Sequence, residues 1–451
     1  MRPGALADPA AVRPGRPSAP VAGLASSRVW LGAAVAAAAA APVLARGGYL
    51  PAGRALFVVL AGCALVAAVA TRPDAARRTM RSAPVAVLAA LAALGAVSAA
   101  WTLAGVTDTL RWAALVCGYA GVAVAAGAFV RTDRDLRILA SGLAVLAYVA
   151  GLAGIAGVGT LTEPFADRID GTWRAGGTLE YPPALGLLQV SALPVLLTAM
   201  ARRPGSLAAA AAASGAAVAG MSLALTGSRL YPFLAACLLG AAVLRPRATL
   251  RSDVRTGMAA AVLVAVSALA AVLLAPGNLI ALLAPPLLAA VCWRAGARTD
   301  ARFLLALLAG FAALVAVAAA GPAGDGLHGR ADLWDAALST AAERPLLGAG
   351  ADAFFVASVE HQSGALARFA HDLPLELLVE LGVAGLLLGL GLYAACVRAL
   401  WRARASPAAW LLGPAVAAFL VGSLVDWPWH MAGSGAVFAA ALGGVIAARD
   451  L

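Results

Sequence analysis

Long apolar runs separated by short polar segments make up most of the 451-residue chain. Most of the runs approach the ~20 residues that an α-helix needs to cross ~30 Å of hydrocarbon. The pattern predicts fourteen such segments, at residues 29–45, 55–71, 84–101, 112–130, 138–160, 183–201, 206–226, 230–244, 257–275, 279–293, 303–320, 374–397, 409–425 and 432–448. The shortness of 230–244 and the two prolines inside 279–293 make these two the weakest. The pattern therefore predicts an all-α polytopic membrane protein with about 12–14 transmembrane helices.

Composition and charge agree with this fold class. The chain is 62% hydrophobic and 12% charged, whereas a soluble domain has about 25% charged residues. The net charge of +11 could suggest nucleic acid, but basic residues in a membrane protein gather in cytoplasmic loops. With a cytoplasmic N-terminus, the inside segments hold 24 of the 33 arginines and the outside segments hold 15 of the 22 acidic residues. Topology thus explains the charge, and we predict no nucleic-acid partner.

One polar stretch is too long to be a simple turn between membrane helices. It begins at Gly321 and holds three of the four histidines. It predicts a large external loop over 321–373, between helices 1–11 in 29–320 and helices 12–14 in 374–451. Residues 1–28, rich in Pro, Gly, Ala and Arg, predict a disordered cytoplasmic tail.

The loop itself shows helical periodicity. Apolar residues recur at intervals of three and four over 333–341, which predicts an amphipathic helix on the membrane surface. Arg330 and Trp334 share one face of that helix, as i and i+4. A second short helix is expected over 352–368. His371 then lies at the mouth of the next membrane helix, with Asp372 as its expected N-cap.

Three carboxylates descend from that point into an apolar segment. Asp372, Glu376 and Glu380 follow one another at i, i+4 and i+8. Carboxylates within a membrane are expensive and usually face a cavity or an arginine partner. The alternative is that they pair internally with Arg229 or Arg330 and serve only packing.

Two further arginines lie in predicted outside segments. Arg229 stands between two apolar runs with no inside loop nearby, a costly position unless it faces a water-filled cavity or a partner. Arg174 precedes two glycines in the loop near 160–182, where it either presents a free guanidinium or lies at the membrane interface as a snorkelling side chain.

Several short motifs occur in one order along the chain. They are Arg174-x-x-Gly177-Thr178, Ser228-Arg229, Arg330-x-x-x-Trp334, Pro345-Leu346-x-Gly348-x-Gly350, His371 followed by Glu380-x-Gly382-x-x-Gly385, and Asp426-Trp427-Pro428-Trp429. This order resembles the O-antigen ligase and polymerase superfamily of bacterial membrane glycosyltransferases from about Trp101 onward. Two positions depart from the family pattern, since Asp372 and Pro183 each stand where asparagine is usual.

The resemblance implies a chemistry and a set of roles. The donor would be a polyprenyl-diphosphate-linked glycan, and the acceptor a glycan or a lipid-linked molecule. Arg229 and Arg330 would bind the diphosphate, with Arg174 as a third, because guanidinium groups bind phosphate oxygens bidentately. His371 would be the general base, since an imidazole titrates near neutral pH. Asp372, Glu376, Glu380 and Trp334 would support the site.

The implied reaction inverts the anomeric centre and needs neither a metal nor a cofactor, because the arginines neutralise the leaving group. It would take place at the outer face of the cytoplasmic membrane, among membrane lipids. Two other functions stay open. One is a transporter or flippase for a lipid-linked glycan, and the other is a non-catalytic assembly partner, which the departure at Asp372 permits.

Overall fold

The computed structural model describes residues 20–202, 206–244, 277–294, 329–363 and 366–448. Helices dominate these residues. The α-helices are Pro20–Leu44 (α1), Pro51–Thr71 (α2), Pro73–Met80 (α3), Ala83–Val97 (α4), Val106–Phe129 (α5), Asp133–Thr160 (α6), Pro182–Arg202 (α7), Leu207–Leu225 (α8), Leu230–Leu244 (α9), Leu279–Arg294 (α10), Arg330–Glu343 (α11), Phe354–Ser358 (α12), Leu373–Arg402 (α13), Pro407–Leu411 (α14), Gly413–Gly422 (α15) and Ala432–Ala447 (α16). Single 3₁₀ turns cover Arg46–Gly48, Ser98–Ala100, Gly177–Leu179 and Pro428–His430. The strands Ala166–Ile169 (β1) and Thr172–Ala175 (β2) form one antiparallel hairpin.

The predicted all-α membrane fold is confirmed. Within the described residues, eight helices are long and apolar enough to cross a membrane, and four shorter helices are also apolar. These twelve correspond to the twelve predicted segments that fall in this part of the chain. The segments 257–275 and 303–320 lie outside the described residues. The one predicted over 409–425 is divided into α14 and α15 next to Pro414, which cannot donate a helical hydrogen bond.

The first helix overlaps the segment 1–28 that was predicted to be a disordered tail. Helix α1 begins at Pro20 and not near residue 29, and residues 1–19 lie outside the described part of the chain. Proline is tolerated at the start of a helix, and the alanines and leucine that follow favour helix formation. Arg28 in α1 forms an ion pair with the buried carboxylate of Asp135 in α6, which ties this helix to the bundle.

Helices α5 and α16 form the centre of the bundle and are buried along most of their length. Glycine and alanine predominate in α16, and small residues allow helix backbones to approach closely in a membrane protein. The hydroxyl of Tyr119 in α5 donates a hydrogen bond of 2.8 Å to the carbonyl oxygen of Trp429. That bond fixes the 3₁₀ turn Pro428–His430 just before α16.

Seven connections meet at one end of the bundle, which we call the loop end. They are 45–50, 98–105, 161–181, 226–229, 277–278, 329–372 and 423–431. Hydrogen bonds and ion pairs join them to one another or to neighbouring helix ends: Arg46 to Glu180 (2.6 Å), Leu103 N to Ala349 O (2.8 Å), Gly277 N to Val158 O in α6 (3.1 Å) and Leu373 N at the start of α13 to Ser423 O (2.7 Å). All seven overlap the segments that the charge pattern assigns to the outside, so the grouping agrees with the predicted alternation of the helices.

The loop before α13 docks into a break in that helix. At Gly382 the backbone has φ 65° and ψ −160°, a conformation that is essentially restricted to glycine. The break leaves helix carbonyls without helical partners, and the loop supplies donors for them. Ala349 N donates to Val379 O at 2.9 Å, and Gly350 N donates to Glu380 O at 2.8 Å.

The same docking explains two of the sequence motifs together. Val383 N donates back to Pro345 O at 2.8 Å, so Pro345–Gly350 and 379–383 bond in both directions. A Cβ atom at Gly382 would overlap the carbonyl oxygen of Leu346, and one at Gly348 would overlap the backbone of Glu380. The glycines of the two motifs therefore permit one tight backbone contact.

The second loop helix is shorter than predicted. The amphipathic helix is present as α11, but the helix expected over 352–368 covers only Phe354–Ser358. The side chain of Gln362 donates to Ala367 O at 2.9 Å and accepts from Ala367 N at 2.7 Å. These side-chain bonds replace helical ones and turn the chain back towards α13.

Candidate active site

A buried carboxylate, Asp426, lies at the centre of the loop end. It follows α15, and its Oδ1 atom accepts hydrogen bonds from the Tyr181 hydroxyl at 2.6 Å and from Trp427 N at 2.8 Å. Burial raises the pKa of Asp426, while the nearby His371, the Tyr181 hydrogen bond and Arg330 lower it. Its environment is therefore apolar but includes two basic side chains.

Both ends of the large loop reach this carboxylate. Arg330 is the first residue of α11 and His371 precedes α13, yet both are close enough to Asp426 to act on its pKa. Tyr231, in the first turn of α9, is also within electrostatic reach of Asp426 and Arg330. We call Tyr181, Tyr231, Arg330, His371 and Asp426 the Asp426 cluster. The structure thus brings together two of the predicted site residues.

The backbone around His371 fixes the orientation of its imidazole. The residue has φ 55°, an uncommon backbone conformation for a residue other than glycine. Its Nδ1 atom lies 3.0 Å from the carbonyl oxygen of Phe369. A carbonyl can only accept a hydrogen bond, so Nδ1 carries the hydrogen in this contact. The Nε2 atom then has the lone pair of the neutral ring.

Phe369 anchors the segment that carries His371. Its ring is only 4% exposed and stacks on His430 with centroids 3.9 Å apart and on Trp427 at 5.1 Å. The ring of Tyr49 meets it edge-on at 6.4 Å. Aromatic contacts of this kind contribute about 0.5–1.5 kcal/mol each beyond burial, so the segment before α13 is held firmly against the turn at Pro428–His430.

A second group of buried polar side chains lies beneath Phe369. The Nε2 atom of His430 hydrogen-bonds the carboxylate of Glu376, and Nδ1 lies 4.0 Å from Asp352. Arg54 in α2 donates from Nη2 to the His430 carbonyl oxygen at 3.1 Å. We call Arg54, Asp352, Glu376 and His430 the His430 cluster. Burial raises the pKa of Asp352, while the electrostatic influence of the nearby His430 and Arg54 lowers it.

The predicted carboxylate stripe has partners other than those expected. Asp372 accepts from Leu375 N at 2.9 Å, which confirms it as the N-cap of α13. Burial raises the pKa of the Asp372 carboxyl, and Glu376 raises it further. Glu376 contacts His430, and Glu380 Oε1 accepts from Phe354 N at 3.2 Å. In the described contacts, the partners of these carboxylates are thus histidine and backbone N–H groups, where the sequence analysis had expected arginine.

The remaining two predicted arginines also lie at the loop end. Arg174 is on β2, 3.5 Å from Asp170, and packs against Gly227, where a Cβ atom would lie 3.1 Å from its Nε. Arg229 follows Gly227 by two residues and precedes Tyr231 of the Asp426 cluster by two. Arg174 thus reaches the segment that leads from Gly227 through Arg229 to the cluster.

Several buried polar atoms at the loop end have no hydrogen-bond partner within the described residues, and four of them bear on ligand binding. They are Arg330 Nε, Trp334 Nε1, Thr178 Oγ1 and the Tyr231 hydroxyl. Buried polar groups in folded proteins are almost always bonded to protein or ordered water. All but Tyr231 belong to motifs that the sequence analysis singled out. Unpaired donors around a guanidinium suit a ligand rich in oxygen acceptors.

Sequence reasoning missed six residues of these clusters as site residues: Tyr181, Tyr231, Asp426, His430, Arg54 and Asp352. Asp426 and His430 flank the Trp427-Pro428-Trp429 run, which drew attention only for its aromatic residues. A sequence signal was available for Arg54, a charge directly before the apolar segment predicted over 55–71. Asp352 has no such signal, because only the folding of the loop buries it.

Comparison with known proteins supports the family resemblance. The family model described as O-Antigen ligase matches residues 210–390. The match contains Arg229, Arg330, Trp334 and His371, and it confirms the resemblance inferred from the motifs. No curated protein is significantly similar to the chain.

Proposed function

We propose, from the match of residues 210–390 to the O-antigen ligase family model, that this chain is a membrane glycosyltransferase. It transfers a glycan from a polyprenyl-diphosphate donor to the hydroxyl group of an acceptor. The family supports a membrane enzyme of the ligase or polymerase type, while the donor, the roles of the residues and the outer membrane face are our proposal.

The observation that carries the proposal is that Arg330 and His371 both lie within electrostatic range of the buried Asp426, together with buried donors that lack partners within the described residues. A diphosphate offers several oxygen acceptors and negative charge, which match a guanidinium and the neighbouring N–H and O–H groups. Arg229 and Arg174 approach the same region from other connections. We assign the diphosphate to Arg330 and Arg229, with Arg174 as a third ligand and Trp334 supplying a further N–H.

His371 is the proposed general base. The acceptor oxygen attacks the anomeric carbon and forms a new glycosidic bond while the bond from that carbon to the diphosphate oxygen breaks. The acceptor proton passes to Nε2 of His371, and the electron pair leaves with the diphosphate. The contact between Nδ1 and Phe369 supports this assignment, because it leaves the Nε2 lone pair available. Attack from the side opposite the diphosphate inverts the anomeric configuration.

Asp426 supports both partners of this step. Its negative charge holds Arg330 near the leaving group and stabilises the imidazolium that forms when His371 takes the proton. Glu376 and Glu380 act farther from the reaction, since they fix the backbone around residues 354 and 370. The arginines supply the positive charge that the leaving group needs, so we propose a reaction without a metal.

The test is reconstitution of the full chain in lipid nanodiscs with a polyprenyl-diphosphate oligosaccharide and a panel of acceptor glycans. Loss of a general base commonly lowers the rate about 10²- to 10⁴-fold, which we expect for kcat of His371→Ala. Arg330→Gln is expected to weaken donor binding about 10- to 150-fold, from ~1.5–3 kcal/mol for hydrogen bonds to a charged group. Trp334→Phe is expected to weaken donor binding less and to leave stability unchanged.

Two variants in the same loop are matched controls. His361 pairs with Glu343 at 2.8 Å, and Arg344 is exposed after α11. His361→Ala and Arg344→Gln should both retain wild-type transfer. Full transfer by His371→Ala would rule out the base assignment. Donor movement across the bilayer without transfer, unaffected by His371→Ala, would favour the transporter.

A further inference from the structure

A cavity of about 720 Å³ opens at the end of the bundle opposite the loop end. It lies between α3, the start of α4 and the last turns of α5, α13 and α16. Five arginines line it: Arg78, Arg81, Arg131, Arg398 and Arg402. No aspartate or glutamate is among its described lining residues. Five like charges around one concave surface create a strongly positive potential.

The arginines come from three separate parts of the chain. Arg78 and Arg81 lie in and just after α3, Arg131 follows α5, and Arg398 and Arg402 are in the last turns of α13. Like charges repel, so their convergence on one cavity favours a bound anion. Guanidinium groups bind phosphate oxygens through paired N–H donors. A phosphate-bearing anion is therefore the ligand class that this lining fits.

An exposed tryptophan indicates the depth of this cavity in the membrane. Trp401 is 67% exposed, and it lies in the last turn of α13 between Arg398 and Arg402. Leu390 and Val397 on the same helix are also exposed and apolar, as expected for a surface that faces lipid. Tryptophan is enriched at the headgroup level of membranes. The arginines next to Trp401 thus lie at the depth where lipid phosphates are found.

We propose that this cavity binds the phosphate headgroup of an anionic membrane lipid. The predicted topology places this end on the cytoplasmic side, where basic pockets between transmembrane helices bind such headgroups. The cavity is large enough for a headgroup, since small-molecule sites commonly measure about 300–1,000 Å³. The proposal concerns the end of the molecule opposite the proposed transferase site and does not depend on that function.

The experiment uses the full chain in phosphatidylcholine nanodiscs or mild detergent, with native mass spectrometry as the binding measurement. Cardiolipin and phosphatidylglycerol are the anionic probes, phosphatidylcholine is the zwitterionic control, and inorganic pyrophosphate is the soluble competitor. Arg131→Gln/Arg398→Gln removes two charges from the lining. Arg78 and Arg402 stay unchanged because they make other contacts within the protein.

Each arginine near a membrane surface contributes about five-fold to the binding of anionic lipid, so the double variant should weaken cardiolipin binding about 30-fold. The matched control is Arg77→Gln/Arg134→Gln, which removes two exposed arginines of the same end that do not line the cavity. It should bind cardiolipin as the wild type does. A single Arg81→Gln variant, expected to lose about five-fold, covers the case in which the double variant unfolds.

Three results would overturn the proposal. The first is equal weakening in the lining and control variants, which would mean binding by diffuse surface charge. The second is binding of phosphatidylcholine as tight as that of cardiolipin. The third is binding of pyrophosphate but not of either anionic lipid, which would show that the site binds a soluble anion. Selective cardiolipin binding that depends on Arg131 and Arg398 would support it.

Discussion

The glycine that breaks α13 offers the sharpest test of how the large loop is held. Gly382→Ala places a methyl group where the carbonyl oxygen of Leu346 lies and forces a non-glycine residue into φ 65°, ψ −160°. Such backbone strain costs on the order of 1–3 kcal/mol. Separation of the loop from the helix would also remove the bonds of Ala349 and Gly350, at about 0.5–1.5 kcal/mol each.

The total expected loss is thus about 2–6 kcal/mol. One kcal/mol lowers the unfolding midpoint of a domain of 150–250 residues by about 2–4 °C, so a fall of at least about 4 °C is expected. The assay is thermal unfolding of the purified protein in detergent, followed by limited proteolysis of the loop at 329–372. Cleavage in this loop should become faster in the variant.

Gly391→Ala is the matched control. It lies in the same helix, and a Cβ atom there would meet nothing within 4 Å. It should leave the midpoint unchanged or raise it, because alanine is favoured over glycine within helices by about 1 kcal/mol. If Gly382→Ala unfolded at the same temperature as the wild type and its loop were cleaved no faster, the docking of Pro345–Gly350 on α13 would be refuted.

Two further predictions concern the loop and its location. Burial raises the pKa of Asp352, so the folded protein binds this proton more tightly than the unfolded chain, and stability is lost as the pH rises through the raised pKa. The comparison is with Asp352→Asn, because asparagine tolerates the left-handed backbone at this position. The wild type should gain thermal stability relative to this variant as the pH falls from 7 towards 4. Parallel pH profiles of the two proteins would contradict this. In a cysteine-free background, a membrane-impermeant maleimide added to intact cells should label Ser363→Cys at the loop end but not Ala405→Cys at the opposite end, and the reverse result would invert the topology.

Much of the scaffold could be predicted from the sequence because membrane helices are specified locally. An apolar run long enough to span a bilayer must form its backbone hydrogen bonds within the run, and an α-helix does so. Hydropathy alone therefore located the twelve helical segments of the described residues. The N-cap at Asp372 and the amphipathic helix α11 are local features as well. The length of α12 was overestimated, because the side-chain hydrogen bonds of Gln362 that replace helical bonds form only in the folded loop.

The clusters could be predicted only in part. Arg330 and His371 stood out because polar residues are rare in this chain, but their common neighbour Asp426 is distant in sequence. Nothing local shows that Glu376 faces His430, since the two residues meet only when α13 packs beside the turn before α16. Nothing in the apolar segment predicted over 374–397 marked Gly382 as the site of a break.

The docking of the loop into the break of α13 also bears on how this protein could be re-engineered. Backbone bonds join Pro345–Gly350 to residues 379–383 in both directions, so the loop and the first turns of the helix form one structural unit. A chimera that took only the loop from a relative would combine the relative's backbone N–H donors with the carbonyl acceptors of this protein's helix. Exchange of acceptor preference between relatives should therefore succeed only when the graft runs from the start of α11 past Val383.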